Sequence, residues 1–380
     1  MTICLDLSAA AQERAGLGRY AASLGLALLA LGVPLTAFVN DPRESRLGPP
    51  LSGLPTRSVH LARKPWRLRA AATYFGGPSV DSVLDGVKVF HATEHLLPRL
   101  KRVPSVFTLH DIAYLRYPQY HLLQNRLFLN WMMPRFLAQA DHIIAISEST
   151  RRDALQQYRL DPAKITVIPE GVEPRFAPAV EANQLDAVRR AYDLPERFIL
   201  FVGTIEPRKN LPALLEAYAA LRPKHPEVGL VIAGGKGWLY QSFFDRLSAL
   251  GLQQVVKLTG FVPDQQLPAL MNAAEVFAFP SHFEGFGLPP LEAMACGLPV
   301  VCSNASSLPE VVGDAGLLVA PDDPRAWVEA LDRVLTDPGL RQELRGRGLD
   351  RARPFTWEAA ARQTLAVYER AAEVKRAPGA

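Results

Sequence analysis

His282-Phe-Glu-Gly-Phe-Gly-Leu-Pro-Pro-Leu-Glu-Ala-Met-Ala-Cys-Gly297 is the stretch that decides how this chain is read. The apolar run before it, Val276-Phe-Ala-Phe279, has the continuous hydrophobicity of a buried parallel strand. Gly285 and Gly287 mark a turn, and Pro289 and Pro290 suit the first turn of a following helix. Glu284 therefore stands before the turn and Glu292 about one helical turn beyond it. Free amides at a helix start, here near Gly287 and Leu288, bind phosphate. Glycines let backbone approach a ligand closely. A carboxylate beside a phosphate site is better suited to accept hydrogen bonds from sugar hydroxyls. Together these features point to a ligand that carries both phosphate and sugar. The plain alternative is a buried strand–helix unit with two solvated acids.

The same grammar repeats along the chain. Thr2–Leu7, Leu35–Val39, Val87–His91, Ser105–His110, His142–Ile146 and Ile165–Ile168 read as strands, with helices such as Arg126–Ala140 and Ser149–Tyr158 between them. Pro169 to Pro178 is rich in Pro and Gly and reads as an interdomain linker. A second series follows: Phe198–Val202, Gly229–Ala233, Val255–Leu258, Val276–Phe279 and Pro299–Cys302. Two βαβ series in 380 residues imply two α/β domains, each a doubly wound parallel sheet. Ligands of such sheets bind at the carboxyl ends of the strands, so two facing domains would put the site in a cleft.

Gly203-Thr-Ile-Glu-Pro-Arg-Lys-Asn210 follows the strand Phe198–Val202. Arg208 and Lys209 are adjacent cations at a strand end, suited to the charge that develops on a diphosphate leaving group. By itself this could equally be a solvated basic loop. Gly16-Leu-Gly-Arg-Tyr-Ala21 fits the letters of a dinucleotide fingerprint, with Asp41 after the second strand. Ser8 to Ala15 separate those glycines from strand one, and a Rossmann turn needs them at the strand end. His110-Asp111 closes the strand from Ser105; a lone His there is more often structural than catalytic. Ser147 or Ser149 reads as the cap of the next helix.

The second half of the chain resembles the retaining GT-B glycosyltransferases of family 4. The resemblance rests on Glu284, seven residues and Glu292 inside Gly-Phe-Gly-Leu-Pro and Glu-Ala-Met-Ala, on Gly203–Asn210, and on Ser306-Ser-Leu-Pro-Glu-Val-Val312. The first half matches in scattered places, and the Thr-Ile-Glu-Pro-Arg-Lys-Asn and His-Asp-Ile variants are most similar to bacterial mannosyltransferases of surface polysaccharide synthesis. The resemblance implies transfer of a sugar, GDP-mannose being the favoured donor and UDP-glucose a rival, to a hydroxyl of a glycan or lipid-linked acceptor. It implies front-face attack with retention, assisted by the leaving phosphate. No Asp-x-Asp motif is present, in keeping with metal independence. It assigns Glu292 to the ribose hydroxyls, Glu284 to the transferred sugar, and Gly16 and Gly18 to the donor phosphates through their amides. It places His110 beside the sugar, with Asp111 fixing its tautomer or touching acceptor hydroxyls. Where many relatives carry Arg after the first glycine this chain has Thr204, and Arg208 is expected to supply the guanidinium. The domains would run 1–172 and 173–355, with a helix over 356–380, capped by Thr356, crossing back to the first. A nucleotide-sugar epimerase and a non-catalytic nucleotide-sugar sensor are the competing classes.

Bulk properties narrow the setting. Hydrophobic residues make up 48% and charged residues 21%, as in a soluble globular protein. Cys4, Cys296 and Cys302 show no metal spacing, and their odd number argues against a disulfide framework, so a reducing cytoplasm is expected. Ala21 to Val39 holds no charge, but Gly32-Val-Pro34 divides it into a helix and a strand, so neither a membrane span nor a signal peptide is expected. Residues 1–175 hold 21 Lys and Arg against 14 Asp and Glu, so the first half is basic. Arg63-Lys-Pro-Trp-Arg-Leu-Arg69 and Tyr114–Trp131 mix cations with aromatics, a combination suited to an anionic membrane surface or to an ordinary packed helix. No signature of nucleic-acid binding is present.

Overall fold

The computed structural model describes residues 2–44 and 46–374, and among these, thirteen strands form two parallel sheets. The chain divides into two compact units. Unit 1 holds residues 1–116, 123–171 and 355–380; unit 2 holds 117–122 and 172–354. Tyr117–Leu122, which the sequence reading left in the first domain, groups with unit 2. Residues 375–380 of the expected last helix lie outside the described residues.

The sheet of unit 1 contains β1 (Ile3–Asp6), β2 (Leu35–Phe38), β3 (Thr56–Arg57), β4 (Val89–Ala92), β5 (Ser105–Leu109), β6 (His142–Ala145) and β7 (Ile165–Val167). Their spatial order is β3-β2-β1-β4-β5-β6-β7, every neighbour pair parallel. The chain lays strands outward on one side of β1 and then returns to the other side of it. The order therefore reverses between β1 and β4, and the crevice beyond the ends of that pair is where such sheets take ligands. β1, β2, β4, β5 and β6 are buried along their whole length, which matches their unbroken apolar character.

Unit 2 repeats the plan with β8 (Arg197–Val202), β9 (Val228–Ala233), β10 (Val256–Gly260), β11 (Val276–Phe279), β12 (Val300–Ser303) and β13 (Leu317–Val319). The order is β10-β9-β8-β11-β12-β13, again parallel throughout, with the reversal between β8 and β11. The strands found here but missing from the sequence reading are β3 and β13. The first is two exposed residues long and the second three, too short to show a period.

The uncharged stretch Ala21–Val39 splits as expected, into a helix Ala15–Ala30 and β2. Among the described residues no helix is long and apolar enough to cross a membrane. All three cysteines are buried and free. Ser147 caps the helix Glu148–Gln157 by accepting from the Thr150 amide at 3.0 Å. Thr356 caps the helix Trp357–Val374 by accepting from the Ala359 amide at 3.1 Å.

Trp66 follows the packed-helix alternative. It is buried, its ring centroid 5.4 Å from that of Phe38, so it belongs to the core rather than to a membrane-facing surface. Exposed apolar side chains of this region include Leu68, Phe75, Leu127 and Trp131. Helical spacing explains the difference, because Trp66 and Ala70 lie on the inward face of the helix Arg63–Ala72 and Leu68 on the outer one.

The last helix packs onto unit 1 from outside its sheet. Trp357 meets Tyr20 edge-on, with centroids 5.8 Å apart, and the Tyr368 hydroxyl lies 2.7 Å from His91 Nδ1. The chain entering unit 2 passes so close to this helix that only glycine fits at position 171. A methyl group there would sit 2.2 Å from the Trp357 nitrogen and 2.4 Å from the Thr356 carbonyl carbon. Backbone on both sides leaves no flexible group to give way. Gly171→Ala is therefore expected to destabilise the protein by about 1–3 kcal/mol, the range for overpacking a tight site. Chemical denaturation measures it, and a change within about 0.5 kcal/mol of wild type would contradict the packing described.

Candidate active site

In unit 2 the loops that leave β8 and β11 flank the strand-order reversal, and they carry the residues singled out from sequence. The loop after β8 runs through Gly203 to a short 3₁₀ turn, Pro207–Lys209. The loop after β11 runs through Glu284 to the helix Leu288–Ala295. The Arg208 carbonyl accepts from the His282 amide at 2.9 Å, which ties the two loops together by backbone.

Charge ties them more tightly. Lys209 Nζ donates to Glu284 Oε1 at 2.6 Å, and Arg208 Nη1 donates to Glu284 Oε2 at 2.7 Å and to the Phe283 carbonyl at 2.6 Å. Arg208 Nη2 donates to Glu206 Oε1 at 2.7 Å. Burial alone would raise the Glu284 carboxyl, but Arg208 and Lys209 override it and bring it down to about 2. Burial pulls the Lys209 ammonium below the usual lysine range, and Glu284 opposes that pull. The guanidinium expected to wait for a diphosphate is thus engaged by Glu206 and Glu284. Glu206 itself was not anticipated; its only signal was its place between Ile205 and Pro207 in a strand-end loop.

Two serines hold the second loop. The Glu284 amide donates to Ser306 Oγ at 2.8 Å, and the Ser307 hydroxyl lies 2.6 Å from the Phe286 carbonyl. Gly285 is buried in the turn between Glu284 and Gly287. Gly287 precedes the helix with φ of 126°, a conformation that favours glycine, and a methyl group there would press on Leu308 at 2.8 Å. Pro289 and Pro290 have no amide hydrogen, so Leu288 supplies the one N–H of the first three helical positions. Glu292, in the next turn, is 1% exposed.

Unit 1 assembles a second polar cluster at its own reversal. Past β1 the chain forms a short helix Ser8–Ala11, turns, and enters the helix Ala15–Ala30. Both glycines lie inside that helix rather than in an open loop. The Gly18 amide is taken by the Arg14 carbonyl at 2.6 Å, and a methyl group at Gly18 would meet the Ala9 carbonyl at 2.8 Å. Gly18 therefore serves helix packing, a correction to its expected role as an open amide. Gly16 sits in the first turn with open space around it.

His110 is buried at the end of β5. Its Nε2 donates to the Thr93 carbonyl at 2.8 Å, while Nδ1 lies 3.8 Å from Glu170 Oε1. Tyr20 meets the ring edge-on at 4.8 Å and His95 at 5.6 Å. Burial and then His95 push the imidazole down to about 3, so it is neutral at physiological pH. Thr93, not Asp111, fixes the tautomer. Asp111 instead accepts from the Ala113 amide at 2.9 Å and shapes the turn after the strand.

The sequence reading missed Asp6, Arg14, Glu94, His95 and Glu170. Arg14 pairs with Glu94 across 80 residues of chain. Asp6, buried, accepts from the Ser8 amide at 2.9 Å; burial and then Glu94 push its carboxyl up to about 7. The available signal was Thr93-Glu-His95 directly after an apolar strand.

With this geometry in view, comparison with known proteins is decisive on family. The model "Glycosyltransferase Family 4" matches residues 14–176, and "Glycosyl transferases group 1" matches residues 186–351. An O-antigen chain mannosyltransferase B of Escherichia coli is 33% identical over 318 residues, 82% of this chain and 78% of that protein. Sucrose-phosphate synthase from Thermosynechococcus elongatus superposes with a TM-score of 0.78 at 24% identity, covering 97% of this chain and 98% of that one. Anabaena HepE, solved with UDP-glucose, superposes at 0.72 and 19% identity, covering 97% and 99%. A family match on each half, a relative one-third identical over most of both proteins, and two Rossmann-ordered sheets make this chain a member of glycosyltransferase family 4, with the GT-B fold.

Proposed function

We propose that this glycosyltransferase moves a hexosyl group from a nucleotide sugar to a hydroxyl of a glycan or lipid-linked acceptor, with retention and without a metal. The observation that carries the proposal is the Glu206–Arg208–Glu284–Lys209 network at the reversal of unit 2, with Glu292 buried in the helix beside it. Glu284 is kept ionised by two cations, so it can accept hydrogen bonds from hydroxyls of the transferred sugar. Glu292 does the same for the ribose. The Leu288 amide, the backbone at Gly285 and Gly287, and the positive ends of Arg208 and Lys209 receive the diphosphate. As the glycosidic bond breaks, negative charge grows on that diphosphate, and cations already in place stabilise it most at that moment. From unit 1, the Gly16 amide supports the donor phosphates. His110 presents a neutral ring to the sugar, and Asp111 meets acceptor hydroxyls. No side chain is assigned as a nucleophile; the leaving phosphate assists the incoming hydroxyl on the same face. The nucleotide sugar is a substrate, and no cofactor takes part.

Mannose from GDP-mannose is the proposed donor, supported by the mannosyltransferase relative; UDP-glucose is the competitor. A thermal-shift panel of GDP-, UDP- and ADP-sugars separates them, because a ligand that binds only the folded state raises the melting temperature. An epimerase would consume donor without transfer, and a sensor would bind donor with no turnover.

A cytoplasmic enzyme at the inner face of a membrane is part of the proposal. Three buried free thiols support the compartment. The surface is supported by an exposed apolar patch rimmed with cations in unit 1. Leu68 is 70% exposed and Trp131 47%. Trp131 stacks on Phe75 at 4.9 Å, and the Arg135 guanidinium lies over both rings, at 5.4 and 5.2 Å. Aromatic rings at headgroup level beside arginines are what an anionic interface selects.

Glu292→Ala and Lys209→Ala are each expected to lower turnover at least ~100-fold, the scale of losing one preorganised electrostatic contact. The fold should persist in the second variant because Arg208 still neutralises Glu284. Turnover within twofold of wild type, in folded protein, would sink the site. Activity should survive excess EDTA, since positive charge at the diphosphate comes from side chains; loss restored by Mg²⁺ or Mn²⁺ would show a metal at work. Vesicles containing anionic lipid should retain the protein at low salt and release it at high salt. Leu68→Ser with Trp131→Ser should weaken that retention. Equal binding to neutral and anionic vesicles would remove the membrane from the proposal and leave the rest intact.

A further inference from the structure

Unit 2 contains a cavity at the end of its sheet opposite to Glu284. Glu275 stands directly before β11 and Pro299 directly before β12, and both line it, so it opens at the amino ends of these two strands. The loops that carry Glu284 and the two serines leave from the carboxyl ends. The cavity holds about 290 Å³, close to the ~300 Å³ at which small-molecule sites begin. The helix Pro338–Ala352 closes one side with Arg341, Gln342 and Arg345; Asn272 and the turn at Cys296 and Gly297 close the other. Every charged side chain of the lining but one has a protein partner. Glu275 takes two donors of Arg197, at 2.6 and 2.8 Å. Arg341 donates to the Val334 and Leu335 carbonyls at 2.9 and 2.8 Å. Of the acids beside the lining, Asp337 accepts from the Leu340 amide at 2.9 Å, and Glu343 pairs with Arg347. Arg345 is the exception. It is half-buried, and its guanidinium lies against Gly297, where a methyl group would meet Nη1 at 3.3 Å. It makes no hydrogen bond or ion pair among the described residues, so its five N–H donors are open to a ligand.

The rest of the lining narrows the ligand. Asn272 commits Nδ2 to the Ala177 and Pro268 carbonyls, both at 2.9 Å, which leaves Oδ1 as an acceptor. Gln342 adds an amide with no protein partner among the described residues. Such groups suit hydroxyls, whereas paired guanidinium donors match the oxygens of a phosphoryl group. No aromatic side chain lines the cavity, so a nucleobase has nothing to stack on. The Cys296 thiol is pushed up to about 12 by burial and then Glu292, which makes it a neutral wall. We infer that this cavity binds a small sugar monophosphate, with the phosphoryl group on Arg345 and hydroxyls on Asn272 and Gln342. Unit 2 thus takes two ligands at opposite strand ends, a nucleotide sugar at the carboxyl ends and a sugar phosphate at the amino ends. The second site does not depend on the transferase reading, because none of its residues belongs to the donor network.

The test is calorimetric titration of mannose 6-phosphate into the full-length protein. It should bind with a Kd below about 1 mM. Arg345→Gln should weaken it about tenfold, the scale of one charge-assisted hydrogen bond. Gln342→Ala, at an exposed position, should weaken it about threefold, the scale of one neutral hydrogen bond. Arg347→Gln, two residues along the same helix and outside the lining, should change it less than twofold. Lys209→Ala, which removes a cation of the donor site, should also leave it within about twofold. Inorganic phosphate and free mannose each offer one half of the ligand and should bind at least about tenfold more weakly. Absent binding of mannose 6-phosphate, or equal losses in Arg345→Gln and Arg347→Gln, would overturn the site. A loss in Lys209→Ala with none in Arg345→Gln would place the probe in the donor site, and the proposal would fall. Inorganic phosphate binding as tightly as mannose 6-phosphate would remove the hydroxyl contacts and overturn the ligand class. Should Arg345→Gln fail to fold, Gln342→Ala decides: affinity equal to wild type would overturn the assignment.

Discussion

A carboxylate buried at the end of a strand cannot remain charged alone, and Glu284 is such a group. Leaving it unpaired in this position would cost several kcal/mol, or would force it to take up a proton. Arg208 and Lys209 prevent both. They come from the neighbouring strand's loop, so the requirement of one side chain fixes the spacing of two loops. The serines at 306 and 307 complete the arrangement by holding the backbone around Glu284 from the loop after β12. Three consecutive strand ends are thereby locked around one carboxylate. What the site offers a ligand depends on this lock, because an ionised Glu284 accepts hydrogen bonds and a protonated one offers a donor instead.

The two-sheet architecture was legible in the sequence because buried parallel strands are continuous apolar runs. Val276-Phe-Ala-Phe279 and Ser105–Leu109 could hardly be anything else once flanked by turns. Helix capping was legible too, since Ser147 and Thr356 act on amides only three residues away. β3 and β13 were not legible, being two and three residues long. Trp66 was left between two readings for a different reason. Composition shows that an aromatic lies among cations, but only helical phase shows which way it points, and Trp66 points inward.

Sites were legible in proportion to the locality of their partners. Glu284 and Glu292 were found because a turn and a helix start lie between them. Arg208 was found, but its contact to Glu284 was not foreseen, since it spans 76 residues. Glu94 was missed because its meaning comes from Arg14, and nothing near either residue announces the other. His110 was found through resemblance, yet the group that fixes its tautomer is a backbone carbonyl 17 residues back. Backbone acceptors have no sequence signature. An aspartate directly after a histidine invites the inference that the pair interacts, whereas here the carboxylate folds forward onto Ala113.

The two units share one strand order and differ in how they treat charge at its reversal. In unit 2, Arg208 and Lys209 face Glu206 and Glu284, so positive and negative charge balance before any ligand arrives. Such a network is preorganised, so its cations cost no reorganisation when charge develops beside them. In unit 1, Arg14 pairs with Glu94 across two strand ends, while burial and then Glu94 hold the neighbouring Asp6 carboxyl well above its ordinary range. Two copies of one topology therefore present different electrostatics at equivalent strand ends, set by the side chains their loops carry.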